Sequence, residues 1–168
     1  MMFHKMNRII HDEKFQYLFD DKEKTASICG TYYRYPHAYQ SIIPISVKKD
    51  SEEYIITKIA SNAFDRYCNS VSIKFLYNSR IKEIEKLGFF DSSIFNIIIH
   101  PQLIKIGEDA FTKSSLEKID FPINSQLQII EKNAFESTSI KSIFIPPQVT
   151  EIKENTFRFC GELTKVYF

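Results

Sequence analysis

The sequence predicts an α/β-type solenoid dominated by β structure, because two phrases recur along it at a near-constant interval. The first is an apolar pair three residues apart followed by a small residue and a phenylalanine. It reads Ile56-x-x-Ile59-x-x-x-Ala63-Phe64, Ile81-x-x-Ile84-x-x-x-Gly88-Phe89, Leu103-x-x-Ile106-x-x-x-Ala110-Phe111, Leu127-x-x-Ile130-x-x-x-Ala134-Phe135 and Val149-x-x-Ile152-x-x-x-Thr156-Phe157. The phenylalanines stand 25, 22, 24 and 22 residues apart. A period in the twenties with fixed apolar slots is the mark of a stack in which each unit buries its edge against its neighbours.

The second phrase supplies the strand. Ile94-x-x-Ile97-x-Ile99, Leu116-x-x-Ile119-x-Phe121, Ile140-x-x-Ile143-x-Ile145 and Leu163-x-x-Val166-x-Phe168 end in alternation, and Ile73-x-Phe75 keeps it with Ser70 in the leading slot. Period two with β-branched and aromatic residues suits a short strand with one buried face. One strand per repeat is therefore expected. Proline often follows, as in Ile99-His100-Pro101, Phe121-Pro122 and Ile145-Pro146-Pro147, and it cannot donate the bond that would lengthen the ladder. Phe75 to Ile81 and Phe121 to Leu127 are two residues longer than Ile99 to Leu103, so insertions fall in turns.

These residues resemble the BspA-like class of leucine-rich repeats from about Ile55 to Phe168, and the last copy keeps Cys160 and Leu163 in register. Departures are Gly88 and Thr156 in the alanine slot, Tyr67 where a cysteine would stand with Cys68 one place late, and a middle spacing one residue shorter. The resemblance implies a right-handed stack of five leucine-rich repeats over 55–168, opened by a β-hairpin cap. It also implies a non-enzymatic interaction or adhesion module of surface-antigen type, meeting a protein or glycan partner, host surfaces included.

Ahead of the repeats, 1–14 reads as a tail and 15–54 as the N-terminal β cap. Lys14 to Phe19, a charged turn Asp20 to Lys24, and Thr25 to Gly30 form strand, turn, strand. A further strand, Ile42 to Val47, is joined by Lys48 to Glu53 to Tyr54-Ile55-Ile56. A solenoid needs such a cover over its first coil. At Phe168 the sequence stops after a strand, so the C-terminal end is expected to be open. Self-association through that edge is the alternative function, beside an intracellular scaffold and a fragment of a longer repeat protein.

Composition bounds the rest. The formal charge is +1 with acids and bases interspersed, so no basic stripe suggests nucleic acid. No apolar run approaches a membrane span, and the start has no signal-peptide core. That reading favours the cytoplasm, whereas the family resemblance favours the cell surface. Cys29, Cys68 and Cys160 are odd in number and scattered, which suits structural thiols better than a disulfide framework.

Neither metal nor cofactor is expected. His4, His11, His37 and His100 are dispersed, with His100 expected to be exposed beside Pro101, and the four glycines form no phosphate-cradling loop. Glu83, Glu85, Glu108 and Asp109 read as solvated turn charges rather than an acid–base pair. Phe64, Phe89, Phe111, Phe135 and Phe157 read as a buried ladder, and Tyr32 to Tyr39 as an aromatic cluster packed on the first coil or acting as a recognition loop.

Stacked strands align equivalent outward residues in columns. One column is Ser72, Asn96, Lys118, Ser142 and Lys165, and it is polar. The other, Lys74, Ile98, Asp120, Phe144 and Tyr167, holds three apolar residues with a charged margin, so these five are the candidate partner-binding residues.

Overall fold

The computed structural model describes residues 10–11, 14–31, 40–66 and 72–168, and all regular structure among them is β. The strands are β1 (Ile10–His11), β2 (Phe15–Asp20), β3 (Thr25–Thr31), β4 (Ser41–Ile43), β5 (Ser46–Lys49), β6 (Glu52–Ile59), β7 (Ser72–Phe75), β8 (Glu83–Ile84), β9 (Asn96–Ile98), β10 (Lys105–Ile106), β11 (Lys118–Asp120), β12 (Ile129–Ile130), β13 (Ser142–Phe144), β14 (Glu151–Ile152) and β15 (Lys165–Tyr167). They wind into a β-solenoid of leucine-rich-repeat type.

Each full coil carries two short strands, not the one expected. β6, β8, β10, β12 and β14 pair in parallel along one line, while β4, β7, β9 and β11 pair in parallel along another. The extra strand is two residues long in most coils, as at Lys105–Ile106, which is too short to show alternation in sequence. It hides inside the Ile-x-x-Ile phrase.

The α/β-type label also gives way, since no helix occurs among the described residues. The segment carrying each ladder phenylalanine is a pair of consecutive turns with left-handed residues four apart: Asn62 and Arg66, Leu87 and Asp91, Asp109 and Lys113, Asn133 and Ser137, Asn155 and Phe159. Alternate N–H groups serve different partners there. Phe89 donates to Ala110 in the next coil (2.7 Å) and Asp91 to Thr112 (2.9 Å), while Phe90 closes a turn on Leu87 (3.2 Å). A helix needs every N–H within its own segment and φ below zero throughout, so neither condition is met.

The ladder forms as expected, with Phe64, Phe89, Phe111 and Phe135 fully buried and Phe157, in the last coil, only partly so. Rings stack from Phe64 to Phe89 (4.5 Å), Phe111 (5.1 Å), Phe135 (5.3 Å) and Phe157 (5.6 Å), the last four within 10° of parallel from one ring to the next. Ile84, Ile106, Ile130, Ile97, Leu116 and Ile140 fill the remaining core, whereas their counterparts in the last coil, Ile152 and Val166, are exposed. Gly107 marks the tightest contact, because a Cβ there would stand 2.8 Å from backbone atoms of Ile84 and Glu85 in the preceding coil.

The N-terminal hairpin β2–β3 lies within one residue of the expected strand bounds, and Asp20, the last residue of β2, accepts from the N–H groups of Lys22 and Glu23 at its turn (both 3.0 Å). β3 then runs parallel to β6, and Phe15 meets Phe64 edge-on at 6.0 Å. The single strand expected from Ile42 to Val47 is two. Pro44 lacks an N–H and separates β4, which joins β7, from β5, which forms a hairpin with β6.

Candidate functional site

The register brings the candidate column together in two blocks. Ile42 aligns with Lys74, Lys74 with Ile98, and Ile98 with Asp120, while Phe144 aligns with Tyr167. Between the blocks the ladder stops. β11 is the last strand of its sheet and β13 pairs with β15 alone. Over that seam lies a groove of about 420 Å³ lined by Lys118, Ile119, Asp120, Phe121, Ile123, Ser142, Phe144 and Tyr167.

Three of the five candidates, Asp120, Phe144 and Tyr167, therefore meet at one groove, and Lys74 and Ile98 lie outside it. Sequence reasoning missed Phe121 and Ile123. Phe121 holds an inward slot but is only partly buried, and Ile123 in the following turn is 84% exposed. The signal was present as an isoleucine in a lengthened turn after Phe121-Pro122. Tyr167 is 51% exposed, and Lys118 pairs with Asp120 at 2.8 Å.

His100 corrects an expectation. It is 2% exposed, its ring lies 5.5 Å from that of Phe75 in the preceding coil, and its Nδ1 accepts from the N–H of Gln102 (3.3 Å). The ring thus packs against the preceding coil rather than facing solvent beside Pro101. Burial, helped by the charge of Lys82, lowers its pKa to about 4.

Glu83 lies in β8 rather than in a turn, and Glu83, Glu85 and Glu108 are half-buried rather than fully solvated because they engage lysines of adjacent coils. Lys58 reaches Glu85 (3.2 Å) and Glu83 (3.6 Å), Lys105 reaches Glu83 (3.2 Å) and Glu131 (3.7 Å), and Lys86 and Lys132 share Glu108 (3.0 and 3.3 Å). The hydrogen bond from Lys86, seconded by Lys132, holds the Glu108 carboxyl below its usual range. Cys160 donates across the coil boundary to the Phe135 carbonyl (3.0 Å), which also accepts from Thr138 in its own coil (2.9 Å), the residue that fills the same slot one coil earlier. Burial raises the Cys29 thiol pKa, and both cysteines are free. Cys68, His4, His37, the Tyr32 to Tyr39 cluster and the side chain of His11 lie outside the described residues. Among the described residues no three His, Cys, Asp or Glu gather as a metal site, and no helix is long and apolar enough to cross a membrane.

Residues 53–168 match the BspA type leucine-rich repeat region in six copies. The chain belongs to the BspA-type leucine-rich repeat family. A leucine-rich repeat protein from Bacteroides ovatus is similar over 95% of this chain and 41% of its own, at 25% identity and a TM-score of 0.82. The T. pallidum leucine-rich repeat protein is 24% identical over 95% of this chain and 71% of its own, with a TM-score of 0.78. The pneumococcal vaccine antigen PcpA is 20% identical over 96% and 49%, with a TM-score of 0.71. The chain thus spans less than half the length of the Bacteroides ovatus and pneumococcal proteins. No curated protein matches it by sequence.

Proposed function

We propose that this chain is a non-enzymatic interaction module that binds a protein partner across the strand face, towards its C-terminal coils. The observation that carries this reading is the groove over the seam between β11 and β13, where three aromatic rings, Phe121, Phe144 and Tyr167, and an exposed isoleucine converge. Aromatic side chains at the centre of a surface depression, with charges at the margin, are what protein partners use as anchors. Membership of a repeat family that generally mediates protein interaction supports it. Adhesion at the cell surface, with host proteins as partners, is the finer form of the same proposal.

Two architectural points belong to this reading. The β2–β3 hairpin serves as the N-terminal cap of the stack, with Phe15, Tyr17 and Phe19 buried on the side of the first coil. The winding is right-handed, the sense that parallel crossover connections favour.

The test is the double variant Phe144→Asp, Tyr167→Asp. Both residues are outward-facing, so the variant should keep cooperative unfolding while partner capture at intact source cells is lost. Unchanged binding would remove the strand face from consideration. Antibody labelling of unpermeabilised cells, with a cytosolic marker as control, decides the surface placement. Mass that rises with concentration would favour self-association instead.

A further inference from the structure

The groove has a chemical bias as well as a shape. Its walls are mostly carbon, from Phe121, Ile123, Phe144 and Tyr167, and its polar pair Lys118–Asp120 is already satisfied internally at 2.8 Å. The outward positions of β7, β9, β11, β13 and β15 hold three lysines, Lys74, Lys118 and Lys165, against one carboxylate, Asp120. Among the described residues Lys74 and Lys165 have no ion-pair partner. Lys165 aligns with Ser142 on the groove wall, and it stands two residues before Tyr167 on the same strand. Outward residues two apart on a strand are about 7 Å from each other.

Resting on the interaction reading above, we propose that this groove takes an extended protein segment carrying a carboxylate and an apolar side chain two residues apart. The apolar group sits between Phe144, Tyr167 and Ile123, and the carboxylate meets Lys165. The spacing follows from geometry, since an extended segment repeats its side-chain direction every second residue, as β15 does. The sign follows from charge complementarity, because the face has cations left over and its one strand carboxylate is paired. A glycan is disfavoured: sugar rings need several convergent hydrogen-bonding groups beside an aromatic platform, and here the free polar groups are few.

The experiment is selection of an unbiased displayed library of twelve-residue peptides on the immobilised chain, with sequencing of the enriched pool. Enrichment of Asp or Glu at two residues from Leu, Ile, Phe or Tyr is expected. It should fall at least fivefold on Lys165→Glu, an exposed change that leaves the fold intact, and vanish on Phe144→Asp, Tyr167→Asp. Basic or uncharged peptides that depend on Phe144 and Tyr167 would overturn the acidic partner while leaving the strand face in use. Enrichment indifferent to all three residues would overturn both readings. No peptide enrichment, or retention of glycans on an array in its place, would overturn the peptide proposal.

Discussion

One line of strands in this solenoid pairs its charges from coil to coil, and the other pairs only Lys118 with Asp120 within a single strand. Along β6, β8, β10, β12 and β14 the paired positions run Lys58, Glu83, Lys105, Ile129, Glu151, so unlike charges face each other across the first two junctions, and Lys58, Lys86, Lys105 and Lys132 each reach a carboxylate of an adjacent coil. Along β7 to β15 the equivalent column runs Lys74, Ile98, Asp120, Phe144, Tyr167, with a break in the ladder under the groove. The same repeat builds both lines on one core. What separates them is the finish of the outward slots.

The largest expected effect falls on what the two faces share. Phe111→Ala removes a fully buried ring from the middle of the stack and should cost about 3–5 kcal/mol, read from chemical denaturation. Both faces should lose order together. If hydrogen exchange rose on one face alone, the single-core account would fail.

Acid should act next, and chiefly beneath the groove-bearing line, where His100 lies just after β9. Its ordinary pKa of 6.5 applies in the unfolded chain, and burial holds the folded value at about 4. The unfolded state therefore binds the proton first, and stability present above pH 6.5 is lost as pH falls towards 4, by up to about 3 kcal/mol. His100→Leu should flatten that limb of the stability profile. The lowered carboxyl of Glu108 adds a loss in the same direction, felt as pH falls through its own lower pKa. An unchanged profile in the leucine variant would assign the acid limb to the ionic face instead.

Smaller effects sharpen the contrast. Leu87 holds φ of 59° where Asn62, Asp109, Asn133 and Asn155 occupy the same place in other coils. Asparagine tolerates that conformation, so Leu87→Asn should stabilise the chain by about 0.5–1 kcal/mol in thermal unfolding, less whatever apolar packing the half-buried leucine supplies. Smallest of all, Glu83→Gln breaks two half-exposed ion pairs and should cost under about 1 kcal/mol, shrinking further in 1 M salt. A larger loss would mean that the ionic face contributes substantially to stability.

Much of this was legible in the residues. The Phe64 to Phe157 ladder, the turn positions and the alignment of the outward columns on either side of the break after β11 follow from slot spacing, because in a repeat stack every position has its neighbour one period away, while the β2–β3 hairpin was legible from its pattern of strand, charged turn and strand. The second strand per coil was not legible, since two residues show no alternation. The helix-free turns were missed because their cause is shared: alternate N–H groups of one coil bond to the next.

The sequence by itself determined the stack, its period and the residues that form its spine, through local spacing of apolar side chains. Only the tertiary structure decided that His100 is buried, that the ladder breaks after β11, and that Phe121 and Ile123 join Phe144 and Tyr167 in one groove. Those outcomes depend on how each turn folds back onto the neighbouring coil, a contact between residues some twenty positions apart that no local pattern records.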